Sequence, residues 1–158
     1  DQLFQDIDSP VTRCHISLAT LLRVVGHKLA HGITASESGL VYFGQPGAIN
    51  EAFSDIFGEF FDLQDGVGND APAEAGLIGE DVPGLGAFRD MADPTQFQDA
   101  DATCSANWYD GPLDGGGIHS NNGVINHLAW LLAFGGAFNA ETVTQHEIRA
   151  RRRDGLCV

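Results

Sequence analysis

Two histidines four residues apart, His27 and His31, lie inside the apolar run Val24-Val25-Gly26-His27-Lys28-Leu29-Ala30-His31-Gly32. Ile16, Leu18, Leu21, Leu22, Val24, Val25 and Leu29 repeat in a way that suits a buried helix from Val11 to Gly32, with the glycine as its stop. Positions four apart on a helix fall one turn from each other on one face, so the two imidazoles point the same way. A pair so placed can hold one zinc ion. In the common hydrolytic version the residue after the first histidine is a glutamate that takes a proton from the metal-bound water. Here that residue is Lys28. The spacing is equally that of two ordinary helical histidines, so a third donor is needed to give it meaning.

Glu51 supplies a candidate. Ile49, Phe53, Ile56, Phe57 and Phe60 predict a second helix over Ala48 to Asp62, and Asn50-Glu51-Ala52-Phe53-Ser54-Asp55 opens it. A carboxylate there completes a His-His-Glu set with one position left for water, as in catalytic zinc sites. Asp55, one turn on, could accept the second ring N–H of a ligating histidine. The alternative is a carboxylate pair favoured by the helix dipole. A further constellation is Asp114-Gly115-Gly116-Gly117-Ile118-His119, at the mouth of a third helix expected over Ser120 to Phe134 and ended by Gly135-Gly136. His119 could donate to a tetrahedral oxyanion while Asp114 holds its ring, or the segment could be a glycine-rich turn with a capping histidine.

The connecting stretches read as follows. Ser36-Glu37-Ser38-Gly39 and Gln45-Pro46-Gly47 are expected turns, with Leu40 to Phe43 short and extended between them. Gln64 to Gly76 should be a loop, Leu77 to Pro83 a short ordered segment, and Gly84 to Gly117 a long loop region. The chain has 158 residues, 43% hydrophobic and 19% charged, enough for one domain with a core. No apolar run approaches the roughly 20 residues of a membrane helix. The chain from Asp1-Gln2-Leu3 onward is expected to be mature protein or a fragment, without a signal segment. A net charge of −14 disfavours nucleic acid and anionic membranes as partners. Cys14, Cys104 and Cys157 show no metal-type spacing and leave room for one disulfide.

The ordered segments Val-Val-x-His-x-x-x-His-Gly, Ser-Gly-Leu-Val-Tyr, Gly-Ala-Ile-Asn-Glu-Ala-x-Ser-Asp-Ile-Phe-Gly, Ile-Gly-Glu-Asp, Met-x-Asp-Pro and Gly-Gly-Ile-His-x-Asn-x-Gly-Val-Ile-Asn are similar to those of the thermolysin family of secreted zinc metalloendopeptidases. The similarity runs from Val24 to about Asn139. It implies a partial thermolysin-like fold, mainly α, with the zinc helix packed on further helices and the amino-terminal β half absent. It implies His27, His31 and Glu51 as ligands of one zinc ion, supported by Asp55 and Asn50. It also implies Tyr42 and His119 as oxyanion donors, Asp114 as the residue orienting His119, and Arg89 as a ligand of a substrate carbonyl. The substrate would be a peptide or protein, and the location extracellular.

Three departures stand out. Lys28 occupies the general-base position, and an ammonium has donors but no acceptor. Like charges ~6 Å apart at an effective dielectric near 20 repel by roughly 3 kcal/mol, so zinc affinity should fall as well. A lost general base typically costs about 10²–10⁴-fold in rate. The expected outcome is an impaired peptidase, the alternatives being an inactive pseudoprotease or an acidic interaction module without chemistry. Second, of the positions matching the family's double calcium site, Arg23, Asp62, Ala75, Leu77 and Glu80, only two keep a carboxylate, so calcium is not expected there. Third, residues 1–139 form a partial peptidase domain and 140–158 a divergent tail that holds four of the eight Lys and Arg residues. Codons for Arg151 to Leu156, read one base over, can encode Ala-Ala-Glu-Met-Val-Tyr, so the tail is read as out of frame. Without its covering partners, apolar surface at Phe57, Phe60, Phe61 and Trp130 is expected to promote self-association.

Overall fold

A computed structural model describes residues 18–144, apart from 66, 67, 69, 70 and 83 and from the side chains of 18–22 and 65. The expected irregular start, the helix onset at Val11, Cys14, Cys157 and the basic tail from 145 lie outside the described residues.

Two long helices form the frame. Helix α1 spans Leu18–Glu37 and α2 spans Gly44–Asp65. They run antiparallel, since contacts to α1 residues of rising number fall on α2 residues of declining number: Arg23 reaches Asp62, His27 reaches Asp55 and His31 reaches Asn50. Gly26 and Gly58 meet where the helices cross. A Cβ on Gly26 would lie 3.5 Å from Gly58 Cα, and one on Gly58 would lie 3.1 Å from the Arg23 carbonyl oxygen. Close backbone approach brings short side chains such as Asp55 within reach of α1.

The helix boundaries differ from the sequence reading in two places. Helix α1 passes through Gly32 and ends at Glu37, where the N–H groups of Ser38 and Gly39 close on the Thr34 carbonyl at 3.1 and 3.0 Å. Gly39, with φ +58°, is the residue that leaves the helix, as a glycine C-cap does. A glycine inside a helix costs only about 1 kcal/mol, too little to stop it there. Gln45-Pro46-Gly47 is the first turn of α2 rather than a separate turn, because proline lacks only an N–H that the first turn leaves unbonded. The link expected to be extended over Leu40 to Phe43 bends at Tyr42 and Phe43, and Val41 to Phe43 are exposed.

Beyond α2 the chain is mostly loop pinned at a few points. Strands β1 (Leu77–Ile78) and β2 (Arg89–Asp90) pair antiparallel with Ile78 opposite Arg89. A 3₁₀ turn, Pro94–Phe97, is capped by Asp93. A single left-handed turn, α3 (Asp114–Gly117), leads to α4 (Gly123–Phe134), which Gly135 ends as expected. Strands β3 (Gly136–Phe138) and β4 (Glu141–Val143) form a hairpin over Asn139 and Ala140, both at positive φ, the signature of a two-residue type I′ turn.

The interior is unusually polar. Among the described residues nine apolar side chains are buried, Pro94 included, and twelve polar or charged ones are. Large apolar side chains line the outside instead: Val25, Leu29 and Ile33 on α1, and Phe53, Phe57 and Phe61 on α2, each at successive turns of one face. Phe60 and Trp130, expected to be uncovered, pack on Phe134 with ring centroids 6.1 and 4.1 Å apart, and only Phe57 and Phe61 of that expected group are exposed.

Candidate metal centre

The facing sides of α1 and α2 bring His27, His31 and Glu51 together. His27 Nε2 and His31 Nε2 are 3.0 Å apart, and the Glu51 carboxylate oxygens lie 3.7 and 3.3 Å from them. Four-coordinate zinc with bonds of ~2.0–2.1 Å sets its donors about 3.3 Å apart. The three side chains therefore fit a tetrahedral ion that leaves one position free. Their second atoms are already committed: His27 Nδ1 faces Asp55 Oδ1 at 3.1 Å, and His31 Nδ1 faces Asn50 Oδ1 at 2.8 Å. A ring whose Nδ1–H is donated in this way presents Nε2 as a lone pair, the tautomer a metal needs.

Asp55 is the node of this arrangement. It is 2% exposed. Besides His27 it accepts from Arg89 Nη1 at 3.1 Å on both oxygens, from Asn122 Nδ2 at 2.7 Å and from Asn126 Nδ2 at 2.9 Å. Burial pushes its carboxyl up, but His27, the Arg89 charge and the asparagine amide outweigh that and hold it below the ordinary range. One carboxylate thus ties α1, α2, β2 and α4 together. Asn122 and Asn126 are functional neighbours that the sequence reading gave no role. Their advance signal is two amides four apart, hence on one face of the expected helix.

The third constellation reaches the same spot. Asp114, Gly115, Gly116 and Gly117 all have positive φ. A Cβ on Gly117 would sit 2.7 Å from Asn121 Nδ2, and one on Gly116 would lie 3.3 Å from Gly44. This glycine turn lets Asp114 fold back on His119, accepting from its backbone N–H at 2.8 Å and from Nδ1 at 2.5 Å. The other ring nitrogen of His119 lies 3.4 Å from Glu51 Oε1. Its contact with Glu51, against partial burial and with help from Asp114, raises the imidazole to about 9, so the ring is cationic at neutrality. Burial pushes Glu51 up, but His119 and His31 bring it below the usual carboxylate range. The Tyr42 hydroxyl donates to Glu51 Oε1, and its ring meets His31 edge-on at 5.7 Å. A cavity of ≈ 290 Å³ opens beside these groups, with Val24, Ile78, Val82 and Phe88 as apolar wall and Lys28 and Arg89 on its lining. Of the site residues expected from the sequence, His27, Lys28, Tyr42, Glu51, Asp55, Arg89 and His119 line this cavity, while His31, Asn50 and Asp114 lie behind it, in contact with His27, His31 and His119 respectively.

Comparisons with known proteins point to one family. The pattern of the thermolysin metallopeptidase alpha-helical domain matches residues 38–153. The chain is 43% identical over 127 residues to a zinc metalloproteinase of Renibacterium salmoninarum and 42% identical over 132 residues to bacillolysin of Bacillus cereus. Those alignments cover 77% and 81% of this chain but 23% and 22% of the relatives, so the chain spans under a quarter of their length. Among solved structures, the precursor of protealysin, a metalloproteinase from Serratia proteamaculans, superposes with a TM-score of 0.55 at 32% identity, over 75% of this chain and 39% of that one. With a helical fold of this kind and sequence likeness over most of its length, the chain belongs to the thermolysin metallopeptidase family, of which it carries the alpha-helical domain.

Proposed function

We propose that this chain is the helical part of a zinc peptidase that keeps its metal site and has lost most of its hydrolytic capacity. The observation that carries the reading is the convergence of His27 Nε2, His31 Nε2 and the Glu51 carboxylate within 3.0–3.7 Å of one another, beside an exposed Lys28 on the same cavity. A bound zinc ion would polarise a peptide carbonyl and acidify a water. The protein groups around it divide the remaining work. His119, held by Asp114, and the Tyr42 hydroxyl are donors suited to negative charge developing on a carbonyl oxygen. Arg89, fixed on Asp55, is suited to a second carbonyl of an extended peptide. The apolar wall of Val24, Ile78, Val82 and Phe88 would take a large apolar side chain. The position expected to carry the proton acceptor holds Lys28, which offers only donors.

An inactive module without a metal is the competing reading, and it draws on the exposed apolar faces of α1 and α2. Zinc content separates the two. One zinc per chain, lost in His31→Ala, is the expected result, and a metal-free chain after zinc supplementation would rule the site out. The rate of peptide cleavage by the wild type is expected to lie at least about 10²-fold below that of Lys28→Glu. Equal rates for the two proteins would refute the claim that Lys28 impairs hydrolysis. Extracellular action on peptide or protein substrates belongs to the same proposal.

A further inference from the structure

The calcium that the family resemblance implies does not fit this chain. Next to the crossing of α1 and α2 a second acidic cluster exists, formed by Asp62, Glu80 and Asp81, whose carboxylate oxygens lie within 4.8 Å of one another. Glu59 adds a fourth carboxylate on the α2 side, 3.3 Å from the guanidinium of Arg23. The cluster is already filled from within. Arg23, only 5% exposed, directs Nη1 to Glu80 and, at 3.0 Å, to the Leu77 carbonyl, and directs Nη2 to Asp62.

We infer that Arg23 is a resident cation that replaces a divalent metal in the Asp62–Glu80–Asp81 cluster, making this lobe calcium-independent, and that removing its guanidinium turns the cluster into a calcium site. The charge argument is direct. Four carboxylates packed together repel unless a cation lies among them, and a guanidinium with five donors supplies charge and hydrogen bonds at once. The donors left behind are those calcium takes: Asp62, Glu80 and Asp81 carboxylates, the Leu77 carbonyl and Glu59, with water completing six to eight oxygens. The inference concerns a cluster separate from the His27–His31–Glu51 set and does not depend on the peptidase reading.

The test uses the full chain with zinc present, and terbium as a calcium probe. Trp130 lies against Gly76, where a Cβ would meet its ring at 2.8 Å, and the Gly76 N–H donates to Glu59 at 2.9 Å, so the indole is placed to sensitise a lanthanide in the cluster. Wild type should show no saturable terbium luminescence and no change in melting temperature with calcium. Arg23→Ala should bind one terbium that calcium displaces, with a dissociation constant on the order of 10⁻⁴ M or tighter. Its melting temperature should rise by about 10 °C at calcium a hundredfold above that constant. Adding Glu80→Gln should weaken the binding about tenfold. Arg23→Met, which keeps the aliphatic stem, is the second variant. If either variant unfolds in calcium-free buffer, recovery of its helical signal on adding calcium counts as support. Wild type binding terbium with the affinity of the variants, or neither variant responding to millimolar calcium, would overturn the inference.

Discussion

At the scale of single residues the described part of the chain is held by carboxylates in unlike environments. Asp55 is buried and hydrogen-bonded on every side, which keeps it ionised. Glu59 is equally buried, yet burial wins over the Arg23 charge and the Gly76 N–H and lifts it to about 7. The groups facing it are Arg23, Asp62 and Glu80, two of which repel its charge. The two kinds of carboxylate have opposite consequences for stability. A carboxyl raised in the fold is most stabilising when protonated, so the Glu59 contribution is complete below its unfolded value near 4.5 and is lost as pH rises through about 7. Asp55, Glu51 and Asp114, all lowered, act in the other window and lose their contribution only as pH falls below the ordinary carboxylate range. Chemical denaturation at pH 5 and pH 8 is therefore expected to show less of a drop in Glu59→Gln than in wild type, by on the order of 3 kcal/mol. Gln keeps the acceptor for Gly76 and removes the titration. Parallel drops in both proteins would place the pH dependence elsewhere.

At the scale of elements the spacing of α1 and α2 sets the metal geometry. Two glycines in these helices look alike in sequence and differ in surroundings. Around Gly32 no atom lies within 4 Å of a built Cβ, whereas at Gly58 the Cβ would press on the Arg23 carbonyl oxygen at 3.1 Å and the His27 Cβ at 3.4 Å. Gly32→Ala should stabilise by about 0.5–1 kcal/mol through helix propensity alone. Gly58→Ala should lose about 1–3 kcal/mol to overpacking, net of a smaller propensity gain, and weaken zinc binding because His27 is displaced. Denaturant midpoints and zinc titrations of the pair would check this, and two variants shifting in the same direction would contradict it. The histidine pair was legible in the sequence because helical periodicity fixes which residues share a face, whereas Glu51, on the other helix, was joined to it only by the family resemblance. Asn122 and Asn126 were not legible, because their partner Asp55 lies 67 and 71 positions away and only the docking of α4 on α2 brings them together.

At the scale of the molecule, polar networks occupy the centre while apolar stripes face outward. The stripes Val25, Leu29, Ile33 and Phe53, Phe57, Phe61 have the spacing of faces that pack against something. Exposed together, they should drive association of this chain with itself. Sedimentation across the micromolar range is expected to show concentration-dependent oligomers that Leu29→Lys with Phe57→Lys reduces. A wild type that stays monomeric throughout would remove the expectation. None of the described helices is long and apolar enough to cross a membrane, which fits stripes rather than apolar cylinders.

The sequence by itself determined the family and which residues share a helix face, because each rests on short-range periodicity or on segment order that survives without knowledge of contacts. It also marked Lys28 and Arg23 as departures. What those departures mean was decided by tertiary structure. Arg23 is an odd residue in the sequence and a cation enclosed by carboxylates in the fold, since charge compensation depends on distances between segments that the chain order does not contain. Where α1 ends, which aromatic residues remain uncovered, and how Asp55 gathers four elements were settled the same way, by which surfaces meet once the helices pack.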